Sequence, residues 1–83
     1  MQQVILVYDI VNDRARAKIA DACLDYGLDR IQFSAFAGRM SRNHQQELML
    51  RIADILDDGI GNIKLITIHE QDWNNRLEID HAG

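Results

Sequence analysis

The stretch "RIQFSAFAG", residues 30–38, decides the fold. Its residues alternate: Ile31, Phe33 and Ala35 fall on one side of an extended chain, and Gln32, Ser34 and Phe36 fall on the other. A period of two marks a strand. Gly38 marks a bulge or bend through which the strand runs on to Met40. If Phe33 faces the helices, Phe36 faces the opposite side of the sheet. An exposed aromatic there points to a protein interface more than to base stacking, because one ring is not a platform.

Working outward, Gly27 is placed as the residue that ends a helix over about 13–26, which Asn12 or Asp13 caps. Ala15, Ile19, Ala22, Cys23 and Tyr26 form its single apolar face. Before it, "QVILVYDI" (3–10) reads as a strand buried on both faces. After Met40, Ser41 or Asn43 caps a second helix to about Asp57, with Leu48, Ile52, Ile55 and Leu56 as its stripe. "DDGIG" (57–61) is a turn, and "NIKLITI" (62–68) is another strand. In the polar tail, "RLEI" (76–79) is placed to add a short edge strand.

This order predicts an α+β fold, a ferredoxin-like two-layer sandwich of βαββαβ type over 1–68, with a tail over 69–83. The usual strand count needs two strands between the helices. Residues 29–40 are short for a full hairpin, and a kinked strand serving both roles is the alternative the residues leave open.

With 83 residues the chain forms one small domain. A domain of this size buries roughly 60% of its unfolded surface and is marginal alone, so self-association is expected. The single cysteine, Cys23, excludes an intramolecular disulfide and reads as a small apolar helix residue. The start, "MQQ", is not basic, and the apolar run after it stops at Asp9. That argues against a signal peptide or membrane span and makes the cytoplasm the expected location. The net charge of −4 argues against a simple basic nucleic-acid binder. It is unevenly spread: residues 1–42 hold six Lys/Arg and five Asp/Glu, a net +1, whereas 43–83 hold three and eight, a net −5. The cations form two local groups, Arg14/Arg16/Lys18 and Arg30/Arg39/Arg42, and local charge is what attracts phosphates.

Asp9 is the candidate chemical group. A carboxylate inside an apolar run costs several kcal/mol unless something pairs with it. It can cap the following turn or helix, pair with Arg16 or Arg30, or stay available for a metal or a proton. One carboxylate makes a poor Mg²⁺ site, since Mg²⁺ takes octahedral oxygen coordination, commonly from one or two carboxylates with waters and substrate phosphate. The functional reading of Asp9 therefore requires a two-fold dimer that brings two copies together. Arg14, Arg16 and Lys18 lie near a helix N-terminus, where the dipole also favours anions, and Arg30 can reach the end of the sheet. His44, His69 and His81 show no metal-ligand spacing, and there is no glycine-rich phosphate loop and no Ser–His–Asp pattern.

"VYDI" (7–10), "DRARAKIA" (13–20) and "YGLDRIQFSAFAG" (26–38), followed by a polar-capped second helix, resemble the second core CRISPR-associated family. That family, Cas-two, is the small endoribonuclease-like partner of the Cas-one integrase. The resemblance covers about residues 3–68. It implies a ferredoxin-like homodimer whose sheets face each other, with Asp9 of both subunits at the dimer axis as the metal-binding and catalytic acid. Mg²⁺ or Mn²⁺ is the implied cofactor. Tyr8, Arg16, Arg30 and Phe36 match characteristic family positions, and Ser34 belongs to the same motif. Lys18 stands where an Arg is common, and Ala37 where an acidic residue is common. The last strand of family members often completes the partner's sheet, and 76–79 is the candidate for it.

Two functions follow from the resemblance. One is metal-dependent cleavage of RNA or double-stranded DNA, with Arg14, Arg16, Lys18 and Arg30 as nucleic-acid contacts. The other is a non-catalytic adaptor that, with Cas-one, lies along the DNA to be inserted during spacer acquisition. A toxin-type endoribonuclease of related fold and a small-molecule regulatory domain are the further alternatives.

Overall fold

The computed structural model describes residues 1–81. The elements run β1 (Gln2–Ile10), α1 (Asp13–Asp25), β2 (Asp29–Gln32), β3 (Ala35–Met40), α2 (Arg42–Leu56), β4 (Gly61–Ile68) and α3 (Glu70–Asn74). The strands form one antiparallel sheet in the order β2-β3-β1-β4. With α1 and α2 as the crossovers, this is the expected ferredoxin-like βαββαβ arrangement.

Between the helices the hairpin is realised. β2 and β3 are joined by a two-residue turn at Phe33–Ser34, and their register shifts between Arg30 and Gln32. The turn resets the alternation, so the side assigned to each residue by a continuous strand does not hold past Gln32. Phe36 pairs with Leu6 on the helix-covered face and is fully buried. Phe33, at the turn, is 73% exposed. The expectation of an exposed Phe36 is thus reversed.

The helices begin where short polar side chains can satisfy free N–H groups. The Asn12 side chain accepts from Ala15 N at 2.8 Å, and Ser41 Oγ accepts from His44 N at 3.2 Å. α1 ends at Gly27, whose φ of 83° suits a residue without Cβ, and Leu28 N donates to Cys23 O at 3.1 Å to close the turn.

The core lies between the sheet and the two long helices. Val4, Leu6, Tyr8 and Ile10 of β1 alternate into it and meet Ile19, Ala22 and Cys23 of α1 and Leu48 and Ile52 of α2. Each large buried side chain contributes about 1.5–3 kcal/mol. The predicted helix stripes are the ones buried, with Ala15, Tyr26, Ile55 and Leu56 at their margins.

The other face of the sheet carries Gln3, Ile5, Val7 and Asp9 of β1. The register sets beside them Arg39, Ala37 and Ala35 of β3, and Ile68, Ile66, Lys64 and Asn62 of β4. Neither α1 nor α2 covers it. Arg39 pairs with Glu70 at the start of α3 at 3.6 Å, which ties the tail to this side. The tail then passes β2, where Ile31 and Gln32 with Trp73 and residues 76–80 enclose a cleft of about 660 Å³. Residues 76–79 add no edge strand to the chain's own sheet, because α3 diverts the chain after β4 instead of reversing it. Leu77 and Ile79 are left 98% and 90% exposed.

Candidate metal and nucleic-acid site

β1 delivers Asp9 one residue before the strand ends, opposite Asn62 of β4, with its side chain exposed. Exposure removes the desolvation cost that an acid in an apolar run suggests. Both structural roles open to Asp9 are taken by other residues. The cap of α1 is Asn12. Arg16 donates from Nη1 to Ile10 O at 3.1 Å and forms an ion pair with Asp13. Arg30 lies over the Phe36 ring, 5.1 Å from its centroid. Among the described residues Asp9 makes no ion pair. The backbone beneath it is closely held: a Cβ on Gly61 would approach Asp9 O to 2.6 Å.

The oxygen donors at this strand end are the Asp9 carboxylate and the Asn62 amide, whose Oδ1 accepts from Lys64 Nζ at 3.3 Å. Such hard ligands suit Mg²⁺ or Mn²⁺. Among the described residues no group of three or more His, Cys, Asp or Glu could hold a metal ion. One carboxylate and one amide oxygen fall short of the oxygen set such a cation takes.

The cation cluster of α1 divides in two. Arg14 and Lys18, one turn apart, share an exposed stripe. Arg16 is turned the other way, toward the sheet end, where its guanidinium lies 5.9 Å from the Phe33 centroid. Tyr8, Arg16, Ala17, Arg30 and Phe33 line a small cavity of about 180 Å³. The structure thus brings Arg16, Arg30 and Tyr8 together and leaves Arg14 and Lys18 on a separate edge. Asp9 faces the opposite side of the sheet from Tyr8.

The other motif residues act beneath this surface. Tyr8 stacks on Phe36 at 6.2 Å with 22° between planes, and Tyr8 N donates to Ser34 O at 3.1 Å, which ties the turn to the strand end. Phe36 and Ser34 therefore support Tyr8 and Arg30. Burial pushes the Cys23 thiol up to about 11, with the Arg30 charge pulling the other way. It is a core residue of α1, and its burial disfavours the thiolate form. Phe33 and Asn62 escape sequence reasoning. The only signal for Phe33 is a large aromatic at a chain reversal that carries no Gly, Asn or Asp.

A family model, CRISPR associated protein Cas2, matches residues 1–76. The chain belongs to the Cas2 family. Among its relatives is one from Chloroflexus aurantiacus named CRISPR-associated endoribonuclease Cas2 2. It is 49% identical over 74 residues, covering 89% of this chain and 87% of the relative. A relative from Thermoproteus tenax, named a CRISPR-associated endonuclease Cas1/endonuclease Cas2 fusion, is 37% identical over 76 residues, 92% of this chain and 29% of the fusion. The crystal structure of Streptococcus pyogenes Cas2 superposes with a TM-score of 0.78 at 23% identity, covering 95% of this chain and 99% of that one. This last likeness establishes the fold. No helix among the described residues is long and apolar enough to cross a membrane.

Proposed function

We propose that this Cas2-family chain acts in CRISPR adaptation beside a Cas1 integrase, as a cytoplasmic homodimer. Two copies of Asp9 hold Mg²⁺ or Mn²⁺ against a phosphodiester of RNA or double-stranded DNA. The observation that carries this reading is the exposed Asp9 on the helix-free face, which makes no ion pair among the described residues. An acid with no ion-pair partner among the described residues is explained by a second copy that brings a second carboxylate. Ile5, Val7 and Ile66 on the same face give that copy an apolar surface to bury. The fused Cas1 of the Thermoproteus tenax relative supports the integrase as partner. A pairing of residues 76–79 with the partner's sheet gives Leu77 and Ile79 a covering.

A divalent cation at the paired carboxylates would activate water and neutralise charge on the phosphate. Arg14 and Lys18 hold the nucleic-acid backbone as exposed charges. Arg16 keeps donors beyond the two it gives to Ile10 and Asp13, and with Arg30 it orients phosphate at the sheet end. The contacts are to backbone, so sequence is not read and affinity falls with salt.

The test is cleavage of RNA and of duplex DNA with Mg²⁺ by the wild-type protein and by Asp9→Asn. The variant should remain a folded dimer and lose metal-dependent cleavage. Full cleavage by Asp9→Asn would contradict the assignment. A non-catalytic adaptor is the second reading, favoured by the finding that, among the described residues, no group of three or more His, Cys, Asp or Glu could hold a metal ion. It predicts that spacer acquisition survives Asp9→Asn and is lost when Arg14, Arg16 and Lys18 are all replaced by Ala.

A further inference from the structure

Phe33 occupies a position for which the fold supplies no reason. Two-residue turns between antiparallel strands favour Gly, Asn, Asp and Ser, which take the required backbone conformations or bond to it. A phenyl ring there is 73% exposed and belongs to no part of the core. What it does touch is charged: the Arg16 guanidinium lies 5.9 Å from its centroid. Arg16 is anchored at its other donors by Ile10 O and Asp13, so it cannot swing freely into solvent. Beside the ring lies the cavity of about 180 Å³ that Tyr8, Ala17 and Arg30 complete. Drug-sized pockets run from about 300 Å³ upward. This one has room for a single ring or a phosphate.

One ring alone is no platform for a run of bases, but Phe33 has the Arg16 guanidinium beside it, and we propose that Phe33, with Arg16 and Arg30, forms a site for one unpaired nucleotide. The base stacks on the open face of Phe33, and the adjoining phosphate takes the free donors of the two guanidiniums. An aromatic face and an Arg plane side by side are the two surfaces on which unpaired bases stack. A base inside a duplex has both faces covered by its neighbours and cannot use the ring. The site therefore discriminates by strand state: it favours single strands and frayed ends over blunt duplex. Arg14 and Lys18 on the other edge of α1 serve both forms alike. This inference rests on the nucleic-acid reading above and adds to it the stacking residue and the strand preference.

The experiment compares wild type with Phe33→Ala, Phe33→Leu and Phe33→Trp. Fluorescence anisotropy measures their binding to single-stranded RNA and DNA of one sequence and to the matching blunt duplex. Phe33→Ala should weaken single-strand binding about 5- to 150-fold, as loss of one stacked base does. Duplex binding should change less than about twofold. The slope of log affinity against log salt should stay the same, because no charge is removed. Phe33→Trp should preserve single-strand binding. Phe33→Leu, which still shields Arg16 but offers no π face, should behave like Phe33→Ala. Recovery by Leu would show that the ring only packs against Arg16 and would overturn the proposal, as would equal losses on both nucleic-acid forms. Should wild type bind neither form, the nucleic-acid reading falls and this site with it. Should wild type bind both and Phe33→Ala match it, the stacking site alone falls.

Discussion

On the helix-covered side of the sheet, Val4, Leu6, Tyr8 and Ile10 of β1 are sealed under α1 and α2. On the opposite side, Ile5 and Val7 of the same strand and Ile66 of β4 keep part of their surface in water, and Asp9 stands near them with no ion pair among the described residues. One strand thus serves a finished face and an unfinished one. The finished face accounts for why the chain folds. The unfinished face is the one on which the proposed dimer rests. An acid with no ion pair among the described residues and half-exposed apolar side chains lie on the same surface, so a second copy seated there, as proposed above, would supply both the cover and a second acid.

The difference between the faces makes substitutions on each behave differently. The largest effect is expected on the finished side. Phe36→Ala removes a fully buried ring and should cost about 3–5 kcal/mol, a large share of a small domain's stability, lowering the melting temperature by more than about 10 °C. Near-native melting would mean that the helix-covered core is not what holds the fold. Next is Ile66→Asp on the unfinished side. Ile66 is 46% exposed in the single chain, so the monomer should fold. Association should weaken about a hundredfold or more, because a carboxylate desolvated without a partner costs several kcal/mol. Unchanged association in sedimentation velocity would place the dimer contact elsewhere. The smallest effect belongs to the exposed edge of α1. Replacing Arg14 and Lys18 together by Ala should leave stability within about 0.5 kcal/mol. It should lower the slope of log affinity for duplex DNA against log salt by about two. An unchanged slope would remove that edge from the nucleic-acid contact.

Much of the finished face was legible in the sequence. The stripes of α1 and α2 and both caps follow from periodicity and from Asn12 and Ser41, because burial and unsatisfied N–H groups constrain those positions strongly. The turn at Phe33–Ser34 was not legible, since it carries no Gly or Asn and its flanks alternate as one strand would. The misplacement of Phe36 follows directly from that missed reversal. α3 was hidden because its five residues, four polar ones and Trp73, are too few to carry an apolar period. At the site, the spacing of Asp13 and Arg16, one turn apart, contains the reason Arg16 is not the partner of Asp9. The inward turn of Arg16, away from Arg14 and Lys18, also follows from helical spacing. What spacing could not show is that Arg16 and Arg30 meet at a single cavity beside Phe33, because that depends on where the hairpin places its turn.

The central claim is that the lone Asp9 of each chain is half of a site completed by a second copy. The most direct measurement is titration of the purified protein with Mn²⁺, read as bound ions per chain at a concentration where sedimentation gives the association state. One ion per two chains is predicted, lost in Asp9→Asn while the dimer persists. One ion per chain in a monomer, or undiminished binding in Asp9→Asn, would contradict it.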